Sequence, residues 1–439
     1  MKLLRLFYLS NQCLKSKFPL QYGHNVRSMA NKINFIAAAK ISNSIIVRTL
    51  CIFHFLYFFG LAQAVELADD IQLHGFLTQG YFLTSNNRLF GSSDKGGSFN
   101  YTEAGLAGSW QLDPDLRLAA QVLFRRAGEG HENDIELDFG LLDYTLLSAV
   151  NYRLGTRLGR IKLPFGLYNE TRDVLFTRPT ILLPQSIYAD ATRDLALSAD
   201  GGLVYGEYRL ETGNLSFEVG MGIPRGSSLD IELAILGFDF PGNTFSGLSY
   251  VGRLGYDLDD GKYRIAITSA WVDTRYDPEL FPPEDLRAGK DIFTPTIFSA
   301  QYNLEKLNLT AEYAIRPIKD KGFGEEFDKD IVGESYYLQA EYRFNENWQA
   351  ILRYDVFYND RNDKSGKKFE AKTLYPAHTQ FAKDWTFGLR YYVNPSFLVA
   401  AEYHYINGTI WIAPLQDNPN PFDLEQRWHL FALATSIRF

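Results

Sequence analysis

Beyond residue 70 the chain alternates apolar or aromatic residues with small or polar ones, in runs of about ten. A period of two marks strands with two unlike faces. The clearest pair spans Thr296–Arg316. Thr296, Phe298, Ala300, Tyr302 and Leu304 share one face of the first run, and Ile297, Ser299, Gln301 and Asn303 the other. Glu305-Lys306 reverses the chain. Leu307, Leu309, Ala311, Tyr313 and Ile315 then return on one face, opposite Asn308, Thr310, Glu312, Ala314 and Arg316. Similar hairpins centre on Asn345-Glu346-Asn347 and Asn394-Pro395-Ser396, and Asp113-Pro114-Asp115 and Asp259-Asp260-Gly261 supply two further turns.

Sixteen such segments can be marked, at 71–84, 101–112, 116–125, 134–147, 150–160, 201–211, 214–222, 246–258, 261–272, 294–304, 307–316, 333–344, 348–358, 383–393, 397–406 and 427–439. The one at 134–147 is the least regular. Tight turns and long connections alternate strictly, the longest connection being 161–200. A soluble sandwich has no reason to alternate loop length. A transmembrane barrel does, with short turns on the periplasmic side and long loops outside. Trp110, Tyr256, Tyr263, Trp271, Phe344, Trp348, Phe357, Tyr358 and Trp385 fall where strands meet turns, the headgroup level favoured by amphipathic rings. The pattern therefore predicts an all-β fold, a 16-stranded antiparallel transmembrane β-barrel with its third long loop folded inward.

Composition agrees. The chain is 46% hydrophobic and 15% aromatic, yet its mean hydropathy is slightly negative. After residue 64 no stretch approaches the roughly 20 apolar residues of a spanning helix. A closed barrel is the other structure that pairs every backbone group in lipid. Residues 1–64 differ: they hold eight Lys or Arg, no Asp or Glu, an apolar run at Leu50–Leu61, and Ala62-Gln63-Ala64 after it. Those are the parts of a cleaved secretory signal peptide, with Met29 as a possible true start and 65–439 as the barrel. Removing eight positive residues from a chain of net charge −8 leaves −16, which argues against a nucleic-acid partner. Both cysteines, Cys13 and Cys51, lie in the removed part, so no cysteine metal site or disulfide is expected. No zinc spacing, phosphate-cradling loop or dinucleotide fingerprint is present, and no cofactor or metal is expected.

The last strand places Phe431, Leu433, Thr435 and Ile437 on one face and stops at Phe439. It must pair with the first strand so that no sheet edge is left in lipid. The 161–200 connection contains Pro164, Pro179 and Pro184 and is unusually apolar, with Leu175, Phe176, Ile181, Leu182 and Leu183. A loop carrying such residues is expected to pack against the barrel wall and to narrow the lumen. Sixteen strands, a long third loop and a terminal Phe resemble the Gram-negative general porin superfamily, and less specifically the phosphate-selective porin group. The resemblance implies an outer-membrane, passive, homotrimeric channel for small hydrophilic solutes or inorganic ions, embedded in outer-membrane lipid. It further implies a C-terminal strand (Phe431, Leu433, Ile437, Phe439) read by barrel-assembly machinery.

If the aromatic faces point to lipid, the lumen receives Arg117, Arg125, Arg153, Arg157, Arg209, Arg253, Arg264, Arg316, Arg343, Arg353 and Arg390. Glu103, Glu136, Asp138, Glu207, Glu218, Asp257, Glu312, Glu341, Asp355 and Glu402 nearly balance them. Selectivity is then set by local rings rather than totals. The expected constriction set is Arg117, Arg125, Arg153 and Arg157 on the wall, facing Lys162, Arg172, Arg178 and Arg193 on the loop. A positive ladder there would favour anions; Glu170, Asp173, Asp190 and Asp194 on the same loop would instead set a transverse field. The rival readings are a barrel hydrolase, which needs a nucleophile beside a held histidine, and a non-channel structural or adhesive barrel. His404 near Ser396 and Glu402 is the nearest approach to the former, and no Ser–His pairing is suggested.

Overall fold

The computed structural model describes residues 65–439 except 69, 129–133, 227–228, 238, 280–284, 326, 413–416 and 419. The expected signal peptide over 1–64 and the start at Met29 lie outside the described residues. Sixteen antiparallel strands form one closed sheet. In the first half of the barrel these are β1 (Ile71–Thr84), β2 (Ser98–Asp113), β3 (Leu116–Ala127), β4 (Asp134–Ser148), β5 (Tyr152–Lys162), β6 (Ser198–Leu210), β7 (Gly213–Pro224) and β8 (Gly242–Ser246 with Ser249–Leu258). In the second half they are β9 (Tyr263–Pro278), β10 (Gly289–Phe293 with Thr296–Asn303), β11 (Leu307–Lys321), β12 (Asp330–Arg343), β13 (Trp348–Tyr358), β14 (Phe381–Asn394), β15 (Phe397–Gly408) and β16 (Arg427–Arg438). A four-residue strand, Val65–Ala68, pairs with the start of β1.

Each strand pairs with its neighbour in sequence, and β16 closes on β1 from Leu430↔Thr84 to Arg438↔Phe76. The seam ends on Phe439, whose amide and carbonyl both bond to Gly75, at 2.9 and 3.0 Å. Its ring covers Gly75, where a Cβ would stand 2.4 Å from ring carbons. Any larger residue there would have to push the ring aside. The tight turn after β8 places Asp259, Asp260 and Gly261 in three successive left-handed conformations, the geometry that Asp and Gly tolerate best.

The alternation sorts the two faces. Leu338, Ile265, Val219 and Phe387 are 51–59% exposed on the outer wall, while Thr78, Thr268, Ser335 and Thr386 on the inner wall are fully buried. Lipid in place of water turns that exposed apolar band into the favourable face. Phe431 and Leu433 stand on the outer wall of β16.

Three details depart from the simple pattern. First, β4 bulges at Asp138: Gln121 pairs with Phe139 and Val122 with Leu137. The extra residue flips the parity below it, so Leu141 and Asp143 join Glu136 and Asp138 on the inner wall. Second, β9 and β11 continue past the expected ends at 272 and 316, to Pro278 and Lys321, paired with Gly242–Ser246 and Gly289–Phe293. This rim carries charge on both faces, so it lacks the apolar stripe by which strands in lipid are recognised. Third, Gly247-Leu248 and Thr294-Pro295 interrupt β8 and β10; Pro295 has no amide to give the ladder, but its carbonyl still accepts from Ala270 at 3.1 Å.

Candidate functional site

The connection 163–197 between β5 and β6 folds into the barrel rather than away from it. It contains three single-turn 3₁₀ segments (Asn169–Thr171, Leu175–Thr177, Asp190–Thr192) and a short helix at Arg193–Leu197. Leu175, Ile181 and Leu182 are buried against Leu398, Ala400 and Ile406 of β15 and Trp428, Leu430 and Ala432 of β16. Tyr168, Leu183, Ile187 and Tyr188 pack on Ile297 of β10, Ala314 of β11 and Tyr337 of β12. The loop therefore reaches across the lumen. At roughly 2 kcal/mol for each large aliphatic side chain fully buried, Leu175, Ile181, Leu182 and Leu183 supply several kcal/mol to that docking.

Wall side chains hold the loop's backbone. The Glu402 carboxylate accepts from the amides of Ile181 and, at 3.3 Å, Leu182. Glu312 accepts from the Leu167 amide at 3.2 Å and the Tyr188 hydroxyl at 2.6 Å. Asp355 accepts from the Ser186 amide at 3.3 Å. In the other sense Arg353 donates to the Leu182 carbonyl at 3.0 Å and Thr180 Oγ1 at 2.8 Å. Arg390 donates to the carbonyls of Arg178 and, at 2.8 Å, Leu175. Irregular backbone at membrane depth is thus satisfied by protein groups. Burial, with the Glu312 charge next, pushes the Tyr188 phenol well above its usual range and keeps it a donor.

Most of the expected constriction charges meet in one buried network at the loop's base. Arg125 donates to Glu103 at 3.3 Å and to Asp190 at 2.6 Å. Arg178 donates to Glu103 at 3.0 Å, to the Tyr101 hydroxyl at 2.9 Å and to the Arg172 carbonyl at 2.7 Å. Lys162 lies 2.6 Å from both Asp138 and Asp173, and Arg193 bonds to Asp173. Arg172 donates to the Tyr188 carbonyl at 3.0 Å. Burial, and then the charge of Arg193, lowers the Arg172 pKa to about 10, leaving it protonated near neutrality. Burial would raise the Asp173 carboxyl, but Lys162 and Arg193 outweigh it and hold it below the usual range. Five cations and four carboxylates are gathered here, one positive charge in excess.

A second group of charges, partly exposed, lies beside β5, β7 and β8. Glu170, in the loop's first 3₁₀ turn, faces Arg157 of β5 and Arg253 of β8, at 3.8 and 3.5 Å. Glu218 of β7 stands 3.7 Å from Arg157 and 3.9 Å from Arg253. The four are 18–32% exposed, two of each sign at alternating corners. Arg157 also approaches Asp143 at 3.4 Å. Arg153 is exposed near the Tyr205 ring, and Arg117 is exposed opposite Asp143. Alternation placed Glu218, Arg157 and Arg253 on the inner wall, but their meeting with Glu170 depends on where the loop comes to rest. The carboxylates that cap the loop carry no local signal of that role.

His404, the histidine singled out above, is buried under the loop. Its Nδ1 lies 2.8 Å from Asp384 and 3.1 Å from Thr386, and its Nε2 3.3 Å from Glu402. The rings of His378 and His429 meet Thr409 and Tyr403. None of these contacts is to a serine.

A closed sixteen-stranded antiparallel sheet with an apolar outer wall, a polar inner wall and a loop folded across the lumen is the architecture of the porin-type transmembrane β-barrels. Solved structures agree on the fold. A Salmonella typhi OmpF in complex with daunomycin aligns with a TM-score of 0.53 at 14% identity, over 86% of this chain and 100% of that one. The outer-membrane channel DcaP of Acinetobacter baumannii aligns at 0.51 and 10% identity, over 86% and 100%. An anion-selective porin from Comamonas acidovorans aligns at 0.50 and 13% identity, over 84% and 99%. No protein-family model and no curated protein matches the sequence.

Proposed function

We propose that this chain is an outer-membrane porin of a Gram-negative cell, a passive diffusion channel for small hydrophilic solutes and ions rather than an enzyme. One observation carries the reading. The loop at 163–197 is clamped to the wall by buried groups and leaves the Glu170–Arg157–Glu218–Arg253 quartet partly exposed. A water path bounded by that quartet meets balanced charge, so its selectivity is weak. Toward the short-turn end, β3, β5 and β6 add Arg117, Arg153 and Arg209 to the lumenal wall against Asp143 and Glu207. This small positive excess favours anions, phosphate among them. The porin-type fold of the neighbours supports the same reading.

The outer wall of β1–β3 supports a homotrimer. There Gln79, Thr102 and Arg126 form a hydrogen-bonded polar chain on a face that is otherwise apolar. Polar side chains on the outer wall are better met by a second copy than by acyl chains. Outer-membrane lipid and the barrel-assembly machinery complete the expected partners, the latter reading Phe431, Leu433, Ile437 and Phe439. Reconstitution into planar bilayers tests the channel reading: the refolded barrel raises conductance, and deleting about 165–195 enlarges it and weakens ion selectivity. A correctly refolded barrel that never conducts ends the reading.

A further inference from the structure

One histidine of the inner wall has a carboxylate at each ring nitrogen. His404 of β15 is buried, with Nδ1 2.8 Å from Asp384 of β14 and Nε2 3.3 Å from Glu402, two residues before it. A neutral imidazole has one N–H and one lone pair, so either tautomer would set a lone pair against a carboxylate oxygen. Nδ1 has a second neighbour, Thr386 Oγ1 at 3.1 Å. That hydroxyl donates its proton to Asp384 at 3.0 Å and accepts from Arg353 Nη2 at 3.1 Å, which leaves Nδ1 the part of a donor. Two N–H groups satisfy both carboxylates, and a ring with two is an imidazolium.

Glu402 carries the ring's charge to the loop. It accepts from the amides of Ile181 and, at 3.3 Å, Leu182. With Nε2, three N–H groups converge on this carboxylate, so it holds no proton of its own. A buried anion needs a cation in contact. Arg353 and Arg390 stand on neighbouring strands, but Arg353 turns to Thr180 Oγ1 and the Leu182 carbonyl, and Arg390 to the carbonyls of Arg178 and Leu175. Asp355 of β13 is turned to the Ser186 amide. β16 brings the apolar Trp428 and Leu430, and the loop segment 180–186 contains no charged residue. Among the described residues His404 is the one cationic side chain within 4.0 Å of Glu402.

We propose that His404 is a standing imidazolium and the positioning residue of the loop, holding Glu402 ionised and turned toward the Ile181 and Leu182 amides while Asp384 fixes the far nitrogen. The loop's part as a constriction rests on the channel reading above. The charge of the ring and its hold on the loop are independent of whether the lumen conducts. That hold depends on a proton. Loss of either one sets a lone pair against a carboxylate, so docking at 181–182 is full while the ring is charged and weakens as pH rises through its titration.

The test uses the full barrel refolded in detergent, with every other histidine changed to Gln and the ring nitrogens of His404 isotopically labelled. Nitrogen NMR separates a ring nitrogen that carries a proton from one that does not. At about pH 8, where a solvent-exposed imidazole is mostly neutral, both His404 nitrogens read as protonated. Asp384→Asn removes one acceptor, and a single protonated nitrogen remains at that pH. The hold on the loop is read by trypsin at Arg172 and Arg178. His404→Gln has no charge to offer Glu402; at the usual strength of a hydrogen bond to a charged group the loop opens about tenfold more often, and cutting quickens in proportion. Wild-type cutting also quickens from about pH 7 to about pH 9, corrected for the protease's own response, and His404→Gln removes that dependence. His429→Gln, whose ring meets Tyr403 on the outer wall, leaves cutting unchanged. One unprotonated nitrogen in the otherwise wild-type ring at pH 8 overturns the imidazolium, and unaltered cutting of His404→Gln overturns its hold on the loop. Heat-modifiable migration shows that each variant is folded, and bilayer conductance is scored separately. A barrel with a charged His404 that never conducts would count against the channel alone.

Discussion

Glu170→Gln removes one corner of the charged quartet and leaves Arg157 and Arg253 facing Glu218, with Asp143 beside Arg157. Both arginines lie within 3.8 Å of Glu170, so the variant makes the site one charge more positive. The size of the effect follows from Coulomb's law. A permeating monovalent ion passing about 5 Å from the lost charge, in water, interacts with it by about 0.8 kcal/mol. Screening at 0.1 M, with a Debye length of about 10 Å, reduces this to about 0.5 kcal/mol. A cation loses that attraction and an anion loses the same repulsion, so their difference changes by about 1 kcal/mol, about fivefold in permeability ratio. The assay is the reversal potential of the reconstituted barrel across a tenfold salt gradient. Glu170→Gln moves it toward anions by that factor near 0.1 M and much less near 1 M, where the Debye length falls to about 3 Å. The side chain keeps its size, so single-channel conductance changes little. An unchanged ratio at low salt would falsify the placement of Glu170 beside the ion path. A shift that persists at 1 M would point to altered loop packing instead of a lost charge.

Three further outcomes are expected. Glu402→Ala strands the buried amides of Ile181 and Leu182; at about 1.5–3 kcal/mol for each bond to a charged group, loop docking weakens by roughly 3–6 kcal/mol. Trypsin then cuts at Arg172 or Arg178 while the barrel still migrates as a folded, heat-modifiable band, and full resistance would show that Glu402 is dispensable. Gly75→Leu drives a side chain into the Phe439 ring and costs about 1–3 kcal/mol at the β16–β1 seam. It lowers the temperature at which the folded band is lost; an unshifted transition would show that the seam does not depend on Phe439. Burial lowers the pKa of His378, in the Ala377–Gln380 turn at the rim, despite the opposing charges of Glu370 and Glu425. A base whose folded pKa is depressed contributes stability that is present above its unfolded pKa of about 6.5 and lost as pH falls through the folded pKa. Exchange of the Thr409 amide, which donates to the His378 carbonyl at 2.9 Å, therefore speeds up on acidification below about 6.5, beyond the intrinsic rate. His378→Gln removes that excess, and an equal response in both proteins would refute it.

Much of this protein is local. A strand in lipid must be apolar on one face, so period two, strand number, loop alternation and the inward side of Arg157, Glu218, Arg253 and Glu402 are all written in the order of residues. Where lipid ends, that constraint ends too. This is why the rim segments Gly242–Ser246 and Gly289–Phe293 carry no such mark, and why the bulge at Asp138, one residue out of step, moves Asp143 inward unannounced. The loop at 161–200 announces through its leucines and prolines that it packs on something. Its partners do not follow from it. Residues hundreds of positions apart, such as Ile181 and Glu402 or Leu167 and Glu312, meet only because sixteen strands close at a given register and radius. That closure buries Arg125, Lys162, Arg178 and Arg193 in ion pairs and leaves Glu170 facing Arg157 and Arg253. The sign of each charge is in the sequence. Whether it is spent on a carboxylate or left for a passing ion depends on a three-dimensional distance, and only the folded barrel sets it.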